Sequence, residues 1–233
     1  MKTSKPAKGY KGLGMEGVVA RWYTHVVKKS MEEYRRDARL VAEEAPRGGR
    51  VLDLAPGPGH LAIEVAKLGK QQVSGLDISE TFVRIATENA KAAGVAVDFQ
   101  YGNAAQMPYA DASFDLVVCR AAFKNFTDPV AALAEMHRVL KPGGKALIID
   151  LRKDAPLEAI DEHVGRMGLN PMNAFVTRLT FRHLLLKRAY TQEHFERLAA
   201  ATKFLHHELR NDAIGIQVWL TKAGAPVANA AKA

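Results

Sequence analysis

The stretch VLDLAPGPGHLAIEVA, Val51 to Ala66, restricts the fold of this chain more than any other. A short apolar run (Val51, Leu52, Leu54) ends in a Pro/Gly cluster, and helical apolar spacing follows at once. This order reads as strand, tight turn and helix, the opening unit of a nucleotide-binding α/β domain. Gly57 and Gly59 lack a Cβ, so the backbone there can bend sharply and lie close to a ligand. The helix that His60 opens presents free N–H groups and a positive dipole end to the same spot.

Two ligand types use such a loop. GPGHLA, Gly57 to Ala62, fits the dinucleotide fingerprint, and Asp77 follows near the usual spacing for a ribose acid. Asp53 points the other way, because an acid at the strand tip repels a pyrophosphate and suits a cation. The α-ammonium group of S-adenosylmethionine (SAM) is such a cation, and Asp77 then serves the ribose.

Beyond the loop, strand and helix signals alternate. QQVSGLDIS forms a second strand, Ser79 caps the helix ETFVRIATENAKAA, VAVDFQYG is a third strand, and FDLVVCRAA is a continuous apolar fourth. Asp128–Pro129 supplies an N-cap and first-turn proline, Lys141–Gly144 a turn, and KALIIDL a fifth strand. The pattern predicts an α/β fold, a doubly wound and mostly parallel Rossmann-like sheet. Thr191 caps a further helix, and LHHELRND with GIQVWLTK predicts an antiparallel C-terminal hairpin at the sheet edge.

The whole chain, 1–233, reads as one domain. Residues 1–46 form an N-terminal helical arm or lid, of which 1–14 are a loose arm, and 47–151 form the SAM-binding core. Residues 152–190 are a helical insertion whose aliphatics either roof an apolar pocket or cover the sheet. Residues 191–222 are the last helix and hairpin, and 223–233 a frayed tail. Trp22 and Tyr23 stand where aromatic rings can close over a ligand, although Trp22 also suits simple packing.

Composition narrows the partners. The net charge of +8 sits outside the core: residues 1–50 carry 12 Lys/Arg against 6 Asp/Glu, whereas 51–150 carry 9 against 11. The lysines are scattered and aromatics are only 7%, which predicts a solvated surface rather than a nucleic-acid-binding stripe. No apolar run is long enough for a membrane span, so no membrane insertion is expected. The single cysteine, Cys119, excludes an internal disulfide and fits a reducing, cytoplasmic compartment. No metal-ligand spacing occurs; His206 and His207 are adjacent and face opposite sides of a strand.

The order of motifs resembles the class I SAM-dependent methyltransferases, most closely the type 11 group similar to ubiquinone/menaquinone methyltransferases. VLDLAPGPG, GLDIS, GNAAQMPY, FDLVVCRAAFKNFTDP and EMHRVLKPGGKALIID carry the resemblance, over residues 15–222. It implies SAM as cofactor and transfer of its methyl group to a small-molecule acceptor, with a homodimer as one option. Asp53 then binds the methionine ammonium, and Ala55, Gly57 and Gly59 line the methionine tail by backbone. Asp77 accepts both ribose hydroxyls, Ile78 packs the adenine face, and Asn103 and Ala104 meet the adenine edge. Cys119 and Arg120 lie beside the sulfonium.

Three positions depart from the family pattern. Ala55 replaces a glycine, which a negative φ would allow; Asn103 replaces an acid; and Phe123–Lys124–Asn125–Phe126 replaces a His-containing loop. Methyl transfer needs alignment more than acid–base chemistry, so no fixed base follows from the motifs. Lys124, Arg120 and Tyr23 are the acceptor-side candidates. Lys124 is read either as an anion anchor or as a solvated lysine, and Arg120 either as pocket-facing or as paired with Asp53 or Asp150. His25, His163 and His183 are read as surface or packing residues. A nicotinamide-dependent oxidoreductase, or a SAM-binding protein with non-methylating activity, are the rival readings.

Overall fold

The computed structural model describes residues 9–11, 15–27 and 31–224. Seven strands make one sheet in the order β3-β2-β1-β4-β5-β7-β6. They are β1 (Arg50–Leu54), β2 (Gln72–Asp77), β3 (Asp98–Tyr101), β4 (Phe114–Arg120), β5 (Leu140–Leu151), β6 (His206–Asn211) and β7 (Gly215–Thr221). β1 to β5 are parallel, while β7 runs antiparallel to both β5 and β6. The predicted hairpin therefore closes the edge.

The winding direction reverses between β1 and β4, and a crevice opens at such a point beyond the strand tips. Register brings the functional tips together: Asp53 lies opposite Gly75 on one side and Val118 on the other. Alternation along each strand explains the continuous apolar runs. Leu52, Leu54, Val117, Cys119 and Ile148 pack on one face with α5 (Pro129–Val139) and α9 (Gln192–Ala200). Val51, Leu116, Val118 and Leu147 pack on the other with α2 (Met31–Glu44) and α3 (His60–Lys67).

The local caps agree with the sequence. Ser79 accepts from Phe82 N to start α4 (Glu80–Ala92), Asp128 accepts from Ala131 N to start α5, and Thr191 accepts from His194 N to start α9. α1 (Gly17–Val27) lies against α4, with Ala20 buried among Phe82 and Ile85. The side chains of Trp22 and His25 lie outside the described residues, as do residues 225–233 of the predicted tail.

Three expectations change. The Lys141–Gly144 turn is absorbed into β5: Phe114 pairs with Leu140 and Leu116 with Lys145, so the four intervening residues bulge out. The bulge is held by the residues just after β7, Gly143 N donating to Ala223 O at 3.1 Å and Lys222 N to Gly144 O at 3.0 Å. Within the supposedly loose arm, Gly9–Lys11 is clamped. Tyr10 bridges Phe126, Lys11 N donates to Asn125 O at 2.7 Å, and Thr127 N to Gly9 O at 3.3 Å.

The third change concerns the insertion. It contains α6 (Leu157–Arg166), α7 (Pro171–Thr180), a π-helical turn (Phe181–Leu185) and the short α8 (Leu186–Arg188). Its inward residues, Ile160, Val164 and Ala174, build a small core of their own with Phe181 and Leu186. His163 packs on Phe181 there, whereas His183 is exposed. Much of the remaining aliphatic surface covers nothing: Met172, Phe175, Val176 and Leu179 of α7 are exposed.

Candidate cofactor and acceptor site

The loop after β1 is built from left-handed backbone. Ala55, Gly57 and Gly59 have φ of 57°, 54° and 82°. At Gly59 a side chain is excluded twice, since a Cβ would also lie 2.8 Å from Phe99 Cζ and 2.9 Å from Ala86 Cβ. At Gly57 the nearest atom to such a Cβ is Tyr23 Cε1 at 3.9 Å, so the backbone angle alone demands glycine. Ala55 corrects the sequence expectation of a negative φ. It is held in place as its N–H donates to Leu76 O at 2.8 Å, and its methyl group there costs about 1–2 kcal/mol.

Two carboxylates stand under this loop. Asp53 is 1% exposed, and its Oδ2 accepts from Ala62 N in the first turn of α3 at 3.1 Å. Asp77 is 6% exposed; its Oδ2 accepts from Gly57 N at 3.0 Å and its Oδ1 from Ser79 N at 2.9 Å. Neither makes an ion pair among the described residues. Burial pushes the Asp53 carboxyl up to about 7, with the Asp77 charge adding to the rise and the Ala62 N–H opposing it. Burial likewise lifts Asp77 to about 6, against the hydrogen bonds from Ser79 and Gly57.

The tips of β4 and β5 are different. Arg120 pairs with neither Asp53 nor Asp150, the two partners the sequence offered. Its Nε donates to Asp37 Oδ2 at 2.7 Å and its NH2 to Glu33 Oε2 at 2.9 Å, and its guanidinium lies 4.1 Å over the Tyr34 ring. Lys124 is not a solvated lysine. It is 4% exposed, and its Nζ donates to Asp150 Oδ1 and to Ala121 O, each at 2.6 Å. Asp150 Oδ2 also accepts from Lys124 N at 3.0 Å, so the pair fixes the whole post-β4 turn. Ala121 in that turn has φ 57°, a second left-handed alanine at a strand tip. Cys119 is fully buried in the sheet core, and burial pushes its thiol well up, which leaves it a wall rather than a nucleophile.

Above these tips runs the N-terminal arm. Gly9 lies on Ile78 and Asn103: a Cβ on it would fall 2.6 Å from Ile78 Cδ1 and 3.0 Å from Asn103 Nδ2. Asn103 Oδ1 accepts from Ala105 N at 2.9 Å, and Ala104 packs on the core. Met15 O accepts from Ser79 Oγ at 2.6 Å, and the Tyr23 ring meets Phe82 edge-on at 6.0 Å. Burial raises the phenol of Tyr23, and of Tyr10, above the usual tyrosine range. Arg188 NH1 donates to Lys11 O at 3.0 Å, and Lys11 Nζ lies 5.7 Å from the Tyr190 ring centroid.

The structure thus gathers Asp53, Ala55, Gly57, Gly59, Asp77 and Tyr23 around one loop, with Ile78 and Asn103 under Gly9. Gly9, Tyr10, Asp37, Arg188 and Tyr190 were missed by sequence reasoning. The arm has no apolar period, and Asp37 sits in the charged run EEYRRD with nothing local to mark it as buried.

A sheet that reverses direction between β1 and β4, with a glycine bend and two acids at the crevice, is the fold of the class I methyltransferases. Residues 52–148 match the family described as a methyltransferase domain. A demethylmenaquinone methyltransferase of Deinococcus radiodurans is 37% identical over 154 residues, covering 65% of this chain and 57% of that protein. The ubiquinone/menaquinone biosynthesis C-methyltransferase UbiE of Bdellovibrio bacteriovorus is 36% identical over 149 residues, 63% of this chain and 59% of that one. A solved Methanococcus maripaludis structure superposes with a TM-score of 0.71 at 20% identity, covering 95% of this chain and 100% of the other. Residues 52–148 are thus a methyltransferase domain, similar in sequence to those of UbiE-like enzymes and in fold to SAM-dependent methyltransferases. The chain spans a little under three fifths of the length of these curated relatives.

Proposed function

We propose that this protein binds SAM over the tips of β1 and β2 and transfers its methyl group to a small molecule held over β4 and β5. One observation carries the reading. Asp53 and Asp77 are buried carboxylates held by backbone N–H donors, at the place where a ligand with an ammonium group and a ribose diol would lie. Burying a carboxylate without a cation is costly, and a cationic ligand removes the cost. A pyrophosphate at the same loop adds negative charge beside Asp53, which disfavours the nicotinamide alternative.

In this reading Asp53 takes the ammonium, and the backbone of Ala55, Gly57 and Gly59 follows the methionine tail. Asp77 exchanges loop N–H groups for ribose hydroxyls. Ile78, Asn103 and Ala104 border the adenine, so Gly9 and its neighbours shift to admit it. Bound SAM supplies a methyl group already activated on a sulfonium. The residues of the chain need only hold the acceptor in line and exclude water. Arg120 and Lys124 serve indirectly, since their charges are spent on Asp37, Glu33 and Asp150; they set the turn that faces the acceptor. Tyr10, bridged to Phe126 at the turn after β4, gives the acceptor side an aromatic ring. The quinone-pathway names of the curated relatives support an aromatic acceptor, and a single buried thiol supports a reducing, cytoplasmic setting.

Calorimetry tests the cofactor half. SAM and S-adenosylhomocysteine should bind and NADH should not, and Asp77→Ala should weaken SAM by one to two orders of magnitude, from the roughly 1.5–3 kcal/mol of charge-assisted hydrogen bonds. Stabilisation by NADH but not by SAM would reverse the reading.

A further inference from the structure

α7 is amphipathic the wrong way round for a helix facing water. It buries Ala174 against α6 and turns its larger apolar side chains outward. Met172, Phe175, Val176 and Leu179 are 72%, 57%, 52% and 40% exposed. Their spacing of i, i+3, i+4 and i+7 places all four on one helical face. Leu184, on the π-helical turn that follows, is 45% exposed as well. Scattered exposed aliphatics are ordinary, but a complete stripe on one face marks a contact surface.

The charge within the segment that carries the stripe has one sign. From Pro171 to Tyr190 the sequence carries Arg178, Arg182, Lys187 and Arg188 and no Asp or Glu. Arg178 and Arg182 share the single carboxylate of Asp161 on α6, at 3.4 and 2.7 Å, which leaves the pair net positive. Lys187 is exposed. An apolar row flanked by arginine and lysine, with a phenylalanine in the row, is the composition of a helix that lies in the headgroup layer of a bilayer. A second copy of the chain is a poorer occupant. A ten-residue helix is about 15 Å long, and a stripe on it falls far short of the roughly 800 Å² per partner of a stable interface. The basic flanks would also face each other across a twofold axis.

We propose that α7 and the π-helical turn after it dock this protein on an anionic membrane surface, with Met172, Phe175, Val176 and Leu179 entering the headgroup region and Arg178, Arg182 and Lys187 meeting lipid phosphates. No helix of the described residues is long and apolar enough to cross a membrane, so the contact is interfacial. The same segment leads through Arg188 to Lys11 and Asn125, which puts the acceptor side of the crevice next to the docking face. The surface is independent of methyl transfer.

The test is co-sedimentation of the full chain with vesicles of phosphatidylcholine alone and of phosphatidylcholine with one quarter phosphatidylglycerol. The wild type should pellet with the anionic vesicles and at least tenfold less with the neutral ones. M172S/F175S/L179S should lose at least tenfold in anionic-vesicle partitioning while keeping SAM affinity by calorimetry, so that failure here is separable from failure of the cofactor reading. Phe175→Trp guards against a misfolded triple variant: the indole emission it adds should shift to the blue with anionic vesicles and be quenched by brominated lipid. Three results would each overturn the proposal: equal binding to both vesicle types, a triple variant that pellets like the wild type, or a Phe175→Trp emission blind to lipid. So would a concentration-dependent dimer that the triple variant abolishes while the wild type ignores vesicles.

Discussion

Four buried aspartates surround the crevice, and they divide by neighbourhood. Asp37 and Asp150, 1% and 5% exposed, each meet a basic side chain, Arg120 at 2.7 Å and Lys124 at 2.6 Å. Asp53 and Asp77, 1% and 6% exposed, meet none among the described residues and are held by backbone N–H groups. The two pairs are alike in type and burial, so the difference lies in what completes them. The acids on the β4–β5 side are finished within the fold and fix it. Those on the β1–β2 side have no cation beside them among the described residues, and the proposed cofactor would supply one.

The largest effect should come from breaking a completed pair. Lys124→Ala leaves Asp150 buried and alone, and should cost roughly 3–5 kcal/mol of stability, about 10 °C in melting temperature. Lys124→Met with Asp150→Asn should regain most of that loss. Below the melting transition the SAM affinity of Lys124→Ala should stay within about threefold of wild type. A severe loss of SAM affinity in the folded variant would erase the contrast.

The open pair should behave in the opposite manner. Asp53→Asn should leave melting unchanged or raised but weaken SAM by roughly 10- to 100-fold, the value of one charge-assisted contact of about 1.5–3 kcal/mol. The pH dependence sharpens this. Because burial lifts Asp53 to about 7 and Asp77 to about 6 in the fold, above the ordinary carboxylate value of 3.8, the folded ligand-free chain holds protons that the unfolded chain releases between those values. These two groups therefore make the free protein more stable as pH falls from about 7 toward 4. The proposed SAM contact needs Asp53 charged, so affinity should fall as pH drops below about 7 in wild type, whereas in Asp53→Asn it should fall only near about 6, where Asp77 takes up its proton. Calorimetric titrations from about pH 5.5 to about pH 8.5, spanning the raised carboxyls, read both slopes, and parallel profiles in the two proteins would remove Asp53 from the site.

The smallest effect concerns the strained alanines at the two tips. Ala55→Gly removes a Cβ from a φ of 57°, and should raise stability by up to about 1 kcal/mol once the greater freedom of unfolded glycine is subtracted. Ala121→Gly, at the same φ, should match it. Paired melting curves check both, and a loss of stability at either would show that its methyl group packs.

Much of the fold was legible because its signals are local. The strand–turn–helix at Val51–Ala66, the caps at Ser79, Asp128 and Thr191, and the acids at the tips of β1 and β2 all sit within a few residues of what they control. The Lys141–Gly144 bulge was misread for the opposite reason: it is held by Lys222 and Ala223, some 80 residues away. Ala55 was misjudged because nothing in the letters shows that β1 must turn back at that residue to reach Leu76 O.

The sequence by itself determined the alternation of strands and helices, the glycine bend, and which acids lie at the sheet's binding edge, since spacing and residue type act over one or two turns of chain. Only the tertiary structure decided which of the charges are spent. Arg120 finds Asp37 across 83 residues and Lys124 finds Asp150 across 26. Gly9 comes to rest on Ile78, and α7 shows its apolar row to the outside, through long-range contacts alone. Burial and ion pairing depend on what packs from elsewhere in the chain, and that is set only when the sheet closes.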